Sequence, residues 1–360
     1  MAIHELHVAG YRSIRHLKVP LGALNVIVGP NGCGKTNLYR SMYLLAVAAQ
    51  GQFSRTLADE GGMPSVLWAG ERTAKTIRMH LGVTFDQLRY DLQMGPPDAA
   101  RSSLFYLDPE VKEETITFRE GQHDVPLLTR QAANVWTLDD DSQWIPYPFA
   151  LEPSESVLAQ ISEPHRFPQL SAVRMEFSNW RFYHQFRVDA DSPIRQPQIG
   201  VRTSVLAHDG RDLAAALQTI LEIGDSKLLR DGIGEAFPGS QLRIDGPDAR
   251  FRLALQMPMF QRPFTAAELS DGTLRYLCLM ASLLSPRPPA VLALNEPETH
   301  LHPDLLRPLA KLIVNASKSS QLWVTTHSEI LAGHIKDMGG CDLIQLEKRN
   351  GETRVVGQDK

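Results

Sequence analysis

The chain has 360 residues, 43% apolar and 22% charged, a balance that permits one large domain or two ordinary ones around a sizeable core. It has no run of about 18 uninterrupted apolar residues and no N-terminal apolar stretch with a small-residue cleavage site, which excludes a membrane-spanning helix and a secretory signal. A net charge of -4 gives no general electrostatic argument for nucleic acid, and three widely separated cysteines, Cys33, Cys278 and Cys341, form no metal spacing and no disulfide framework, predicting a reducing cytoplasm.

The first 30 residues predict two short strands. "IHELHVAGY" alternates Ile3, Leu6 and Val8 with polar residues, and "RHLKVPLGALNVIVG" ends in the β-branched run Leu24 to Val28, stopped by Gly29. A helix follows from Asn37, with Leu38, Met42, Leu45 and Ala49 on one face. From about residue 75 to 120, "KTIRMHLGVTF", "LRYDLQMG" and "EETITFRE" predict an antiparallel sheet with turns such as "MGPPD". Prolines 126, 146, 148, 153, 164 and 168 predict irregular chain from about 125 to 170. "DGRDLAAALQTILEIGD" predicts a helix with Asp209 as its cap, and "SQLRID" and "FRLALQM" predict strands. The last third alternates. "LSDGTLRYLCLMASLLS" is a helix, "AVLALNEPE" a strand, "PDLLRPLAKLIVNAS" a helix, "QLWVTTHS" a strand, "EILAGHIKDM" a helix and "DLIQLEK" a last strand. Strands apolar throughout and separated by helices indicate a parallel sheet.

Between the strand and helix near the start lies Gly29-Pro30-Asn31-Gly32-Cys33-Gly34-Lys35-Thr36, which matches G-x-x-x-x-G-K-[ST]. Glycines let successive N–H groups curl inward around an anion, and the helix adds its positive end. Lys35 supplies a point charge for β- and γ-phosphates, and the Thr36 hydroxyl a ligand for Mg²⁺. This strand–loop–helix context predicts nucleotide binding. A second element is the apolar strand ending in Asn295-Glu296. Ligands bind at the carboxyl ends of such strands, so Glu296 is the candidate general base for water attacking a γ-phosphate. The competing reading is a Glu that caps the next helix, a part assigned to Glu298. A third element, Ser270-Asp271-Gly272 at a helix start, is an anion site or an ordinary cap. A fourth is His327 after an apolar strand, a position more often structural than functional.

The order of these four elements resembles the ATP-binding-cassette ATPases, and more narrowly the RecF/SMC-like and OLD-like predicted AAA-family ATPases. "GPNGCGKTN", "LSDGTLRYL", "NEPETHLHP" and "TTHS" carry the resemblance, with a looser echo in "HDGRDLAAAL". It implies an α/β P-loop head with a mostly parallel core sheet, an antiparallel β lobe and a helical or irregular insertion. The nucleotide-binding core would be 1–50 and 260–347 of a single head, with the β lobe at 75–120 and the insertion at 121–259. Gly29 to Thr36 would be the Walker A loop with Asn37 beside it, and Ser270, Asp271 and Gly272 the signature that reaches the γ-phosphate held by a partner subunit. Glu296 would be the catalytic base and His327 the switch histidine, with Lys35 in the catalytic set. Cofactors would be ATP and Mg²⁺, and the assembly a head-to-head homodimer.

Relatives of this type carry Asp before the catalytic Glu. Here Asn295 keeps an acceptor oxygen for the Mg²⁺ shell but loses the charge, which predicts weaker Mg²⁺ binding and slower turnover. The chain has no heptads, hence no coiled-coil arm, and it ends too soon after His327 for the nuclease domain of OLD proteins. Any nuclease or other effector would be a separate chain. The two functional expectations are an ATPase in DNA maintenance or defence, and an ATP-dependent binding module with little turnover that regulates an effector. For DNA contact, residues 165 to 202 interleave Arg166, Arg174, Arg181, Arg187, Arg195 and Arg202 with Phe167, Phe177, Trp180, Phe182, Tyr183 and Phe186. The stronger reading of that stretch is core aromatics with arginines paired to Glu176, Asp189 and Asp191. His300 and His302 resemble a metal pair only superficially and are assigned to an interface between subunits.

Overall fold

The structure, a computed structural model, describes residues 1–71, 78–97, 104–120, 123–138 and 143–358. Its opening elements are β1 (Ile3–Tyr11), β2 (Ile14–Pro20), β3 (Leu24–Val28), α1 (Lys35–Ala49), α2 (Phe53–Asp59) and α3 (Met63–Val66). Six strands follow: β4 (Met79–Phe85), β5 (Leu88–Gly95), β6 (Glu110–Glu120), β7 (His123–Gln131), β8 (Asn134–Leu138) and β9 (Trp144–Pro146). Next come α4 (Val157–Gln160), α5 (Pro168–Ser178), β10 (Arg181–Tyr183), β11 (Gln198–Ile199), α6 (Leu213–Ile223) and α7 (Ser226–Ala236). The remainder is β12 (Gln241–Asp245), β13 (Arg250–Gln256), β14 (Phe264–Thr265), α8 (Asp271–Leu283), β15 (Val291–Asn295), α9 (Leu306–Ala316), β16 (Gln321–Thr325), α10 (Glu329–Gly339), β17 (Leu343–Arg349) and β18 (Glu352–Val355). Two compact units result, one of residues 1–22, 29–180 and 344–360, the other of 23–28 and 181–343.

The first unit is built on an eight-stranded antiparallel sheet, ordered β2-β1-β4-β5-β6-β7-β8-β9. In β1 the buried residues are Ile3, Leu6, Val8 and Tyr11, a sequence that breaks strict alternation between 3 and 6. A register shift against β4 between Ile3 and Glu5 supplies the extra residue that returns both apolar runs to the core face. Helix α1 buries Leu38, Met42, Leu44 and Leu45, as its spacing predicts. Phe177 of α5 packs on Phe85, Tyr90 and Trp180, with ring centroids 5.9, 5.4 and 4.7 Å away.

Two sequence expectations fail here for reasons that involve proline. The stretch expected as one strand from Arg15 to Val28 is two, because Pro20 ends the ladder of β2 and the chain restarts as β3 in the other unit. The span expected to be irregular from residue 125 instead continues the sheet as β7, β8 and β9. Pro126 stands where the β6–β7 register shifts, and Pro146 ends the edge strand, the two places a sheet tolerates proline. Residues 75–77 of the expected strand "KTIRMHLGVTF" and Asp98 of the expected turn lie outside the described residues.

The second unit is organised by parallel strands in the order β10-β15-β16-β3. All five residues of β15 are buried. Leu292 and Leu294 of β15, Leu322 and Val324 of β16 and Val26 of β3 share one core with Leu217 and Ile220 of α6, Leu277 of α8, Leu309 and Ile313 of α9 and Leu331 of α10. Helix α6 begins at Leu213, so Asp209 is not its cap; the Asp209 carboxylate accepts from the Arg211 N–H instead. No helix among the described residues is long and apolar enough to cross a membrane.

Within the sheet unit, Glu114 and Arg130 are fully buried, 3.7 Å apart. Glu114 accepts from Tyr90 Oη at 2.7 Å, Ser156 Oγ at 2.5 Å and Val157 N at 2.9 Å. Arg130 donates to the carbonyls of Ala132, Glu152 and Glu155 at 2.7, 2.9 and 2.6 Å. Burial pushes the Glu114 carboxyl up, against the opposing pull of Arg130 and these donors. Truncating one member of such a pair strands the other charge. Glu114→Ala is expected to cost roughly 3–5 kcal/mol, read as a lowered urea midpoint; an unchanged midpoint would show that the pair is dispensable.

Candidate functional site

The glycine-rich loop between β3 and α1 encloses a cation. Lys35, the first residue of α1, is 4% exposed. Its Nζ donates to the carbonyls of Gly29 at 2.5 Å and Pro30 at 3.1 Å, and lies 3.9 Å from Cys33 Sγ. Among the described residues no carboxylate pairs with it. Carbonyl dipoles hold the ammonium in place without neutralising it, and a buried charge in that condition favours an anionic partner. Gly34 takes φ +111°, and a Cβ at that position would stand 2.1 Å from Thr353 Oγ1, so both conformation and space require glycine.

Thr353 belongs to a relay of side chains. The Asn37 amide donates to Ser13 Oγ at 2.8 Å, Ser13 Oγ lies 2.8 Å from Thr353 Oγ1, and Thr353 Oγ1 donates to the Cys33 carbonyl at 2.8 Å. Because the Thr353 proton is committed to Cys33, Ser13 must donate to Thr353, and every donor runs one way toward the loop. Asn37, expected beside the nucleotide, therefore spends its amide on positioning the loop. Asn31 and Gly32 at the loop tip are exposed, and Thr36 is half-buried on the first turn of α1.

In the second unit, adjacent parallel strands bring two predicted residues together. Asn295 and Thr325 are register partners on β15 and β16, and each strand ends there. Just beyond, Glu296 Oε1 lies 2.7 Å from His327 Nε2, with both side chains about one-third exposed. Glu296 has φ +48°, in the left-handed region, and precedes Pro297; such a conformation costs on the order of 1–3 kcal/mol and is held here by the Glu296 N–H to Thr325 carbonyl bond at 2.9 Å. Asn295 Oδ1, 2.8 Å from the Thr325 hydroxyl that donates to it, is buried, so its acceptor is already engaged. Glu298 does not cap the helix that follows it. Its Oε1 accepts from Thr326 Oγ1 at 2.6 Å, His327 N at 2.8 Å and Ser328 N at 3.2 Å, which fixes the turn that presents His327.

Ser270 caps α8, its hydroxyl accepting from Thr273 N at 3.2 Å and lying 2.9 Å from Thr273 Oγ1. The segment before it is held by Arg195. That guanidinium donates to the carbonyls of Ala266, Ala267 and Leu269 at 3.0, 3.2 and 2.8 Å and meets Asp271 Oδ1 at 2.5 Å. Beside α8 is a cavity of about 480 Å³ lined by Phe186, Arg187, Asp189, Asp271, Arg275 and His300. Arg275 is 7% exposed and its Nε takes no hydrogen bond among the described residues. Arg195 was grouped with a nucleic-acid surface by sequence, and the structure reassigns it. The aromatics of that stretch are core: Phe177, Trp180, Phe182, Tyr183 and Phe186 are each at most 5% exposed. Arg187 pairs with Asp189 at 3.0 Å, and Glu176 holds the N-terminal ammonium at 3.0 Å rather than an arginine. His302 accepts from Asp304 N at 3.4 Å, the capping bond of a short turn before α9.

Ser13 and Thr353 are not among the expected site residues, Glu298 is expected only as a helix cap and Arg195 only on a nucleic-acid surface, since no local motif marks a residue whose partner is distant in sequence. Thr353→Val, nearly isosteric, should leave the Cys33 carbonyl unpaired, lower stability by about 1–2 kcal/mol and weaken nucleotide affinity in calorimetric titration; full retention of both would make the relay incidental.

Comparison with known proteins follows from this geometry. No curated protein matches the chain significantly. The fold is similar to a Smc head bound to the C-winged helix domain of ScpA, with TM-score 0.57, 15% identity and coverage of 99% of this chain and 98% of that one. It is also similar to the Smc head domain with an extended coiled coil bound to the C-terminal domain of ScpA from Pyrococcus furiosus, with TM-score 0.53, 13% identity and coverage of 98% and 95%. These likenesses establish an SMC-head-like fold. The family model described as "AAA domain, putative AbiEii toxin, Type IV TA system" matches residues 24–332, and the chain belongs to that AAA family.

Proposed function

We propose that this protein binds ATP with Mg²⁺ on the loop from Gly29 to Asn37 and hydrolyses it. The observation that carries the reading is the buried Lys35 ammonium, which has carbonyls but, among the described residues, no counter-charge about it. A triphosphate supplies that charge. The loop's N–H groups and the N-terminus of α1 add to its binding. Mg²⁺, when bound, neutralises phosphate charge, and Thr36 offers the hydroxyl that would hold it.

Glu296 then acts as general base on the attacking water, and His327, 2.7 Å from it, orients the carboxylate. The strained backbone at Glu296 supports a functional reading, because such strain persists where the surrounding structure holds it for a purpose. Two copies would close on the nucleotides, with Ser270, Asp271 and Gly272 of one copy approaching the γ-phosphate held by the other. The buried, incompletely bonded Arg275 supports an anion at that end of α8. Closure would be coupled to DNA maintenance or to defence against foreign nucleic acid, acting through DNA or a separate effector chain such as a nuclease. A protein partner has a structural precedent in the Smc heads that were solved with a bound domain of ScpA.

A second reading rests on Asn295. Its oxygen already accepts from Thr325 and carries no charge, which favours a slow enzyme that acts chiefly as an ATP-dependent binding module.

Lys35→Ala should reduce ATP affinity at least about tenfold in calorimetry, since it removes a charge-assisted contact of about 1.5–3 kcal/mol; intact affinity would overturn the nucleotide site. Glu296→Gln should abolish phosphate release while keeping ATP-induced dimerisation in light scattering. Asn295→Asp should raise turnover and Mg²⁺ affinity together. If wild type releases no phosphate with or without DNA, yet dimerises with ATP, the binding-module reading replaces the ATPase one.

A further inference from the structure

On the solvent-side face of the antiparallel sheet, three histidines and an aspartate from four adjacent strands converge. His7 of β1 is the register partner of Gly82 of β4, and Gly82 of Asp91 of β5. Ala9 of β1 is the partner of both His16 of β2 and His80 of β4. Two neighbouring rows therefore read His7–Gly82–Asp91 and His16–Ala9–His80, with the ligating side chains set around two small residues that form a floor. A glycine inside a strand ordinarily weakens it and marks a close approach. Here a Cβ on Gly82 would stand 2.6 Å from Asp91 Oδ1 and 3.4 Å from His80 Nε2.

The donor atoms already lie near metal-ligand spacing. His7 Nε2 is 3.1 Å from His16 Nε2, and His80 Nε2 is 2.7 Å from Asp91 Oδ1. Ligand atoms of His7, His80 and Asp91 all fall within 4.8 Å of one another. Tetrahedral Zn²⁺ with bonds near 2.0 Å separates its ligand atoms by about 3.3 Å. The rings also meet edge to face around the same point, His7 against His80 and His16 with centroids 4.3 and 4.8 Å apart.

His7 is chemically incomplete as it stands. Its Nδ1 is buried and makes no hydrogen bond among the described residues, while its Nε2 faces the other imidazoles. The Asp91 carboxylate accepts hydrogen bonds from His80 and Arg89. Arg89 also fixes that carboxylate from behind, donating to Oδ2 at 2.6 Å and Oδ1 at 3.1 Å. Three imidazoles and one carboxylate suit Zn²⁺ and not Mg²⁺ or Ca²⁺, which demand oxygens.

We propose that His7, His16, His80 and Asp91 form a Zn²⁺ site that fastens β2, β1, β4 and β5 together on the outer face of the sheet, separate from the nucleotide loop. The test uses the full chain without a polyhistidine tag, stripped with a chelator and free of nucleotide, titrated with Co²⁺ and then with Zn²⁺. One equivalent of Co²⁺ should produce the strong visible absorption of a tetrahedral ion, displaced by Zn²⁺ and indifferent to excess Mg²⁺. His16→Asn and His80→Asn should each weaken Co²⁺ binding at least about tenfold. His16 is exposed, so its loss is not attributable to unfolding. His4→Asn, on the same strand but paired with Asp86, and Lys35→Ala should both leave binding unchanged. Absence of the tetrahedral spectrum, or binding indifferent to both His16→Asn and His80→Asn, would overturn the site; loss of binding in Lys35→Ala would place the ion at the nucleotide loop instead.

Discussion

The contact between the Lys35 ammonium and the carbonyls of Gly29 and Pro30 is the constraint on which the reading of this protein rests. Removing an ammonium from water is costly, and main-chain dipoles repay only part of that cost. The loop can therefore be understood as a device that keeps a charge ready. Its left-handed glycines bend the chain, α1 anchors the lysine, and the Thr353–Ser13–Asn37 relay holds the far side still. Rigid, prepaid geometry of this kind is what makes a phosphate site selective.

In the second unit the same economy is applied to a carboxylate and a histidine. Parallel register places Asn295 beside Thr325, and one residue further on the two strands release Glu296 and His327 to meet. The Glu298 carboxylate, bound to three donors of the opposing turn, keeps that meeting from depending on flexible side chains alone. Arg195 does the equivalent for the segment leading into α8, where one guanidinium ties three carbonyls and Asp271. In both places a residue that touches no reacting group sets the position of one that would.

Much of this was legible in the sequence. The glycine-lysine-threonine run, the buried strand Val291–Asn295 and the helix opening at Ser270 carry local signals, because spacing and residue type are enough to specify them. What could not be read was anything created by pairing across the chain. Pro126 looked like a breaker until a register shift gave it a place, whereas the aromatics from Phe177 to Phe186 read as core and the fold buries them. The His7–His16–His80–Asp91 cluster is the extreme case: its members share no motif, and only the strand order brings them to one point.

The Thr353 hydroxyl that secures the Cys33 carbonyl lies 320 residues downstream of it. During synthesis the glycine-rich loop leaves the ribosome early, but its fastening arrives only when the closing hairpin has been made. At about 5–20 residues per second, that is a wait on the order of tens of seconds. A nascent chain in this interval holds the glycine-rich loop without the hydroxyl that later fastens the Cys33 carbonyl.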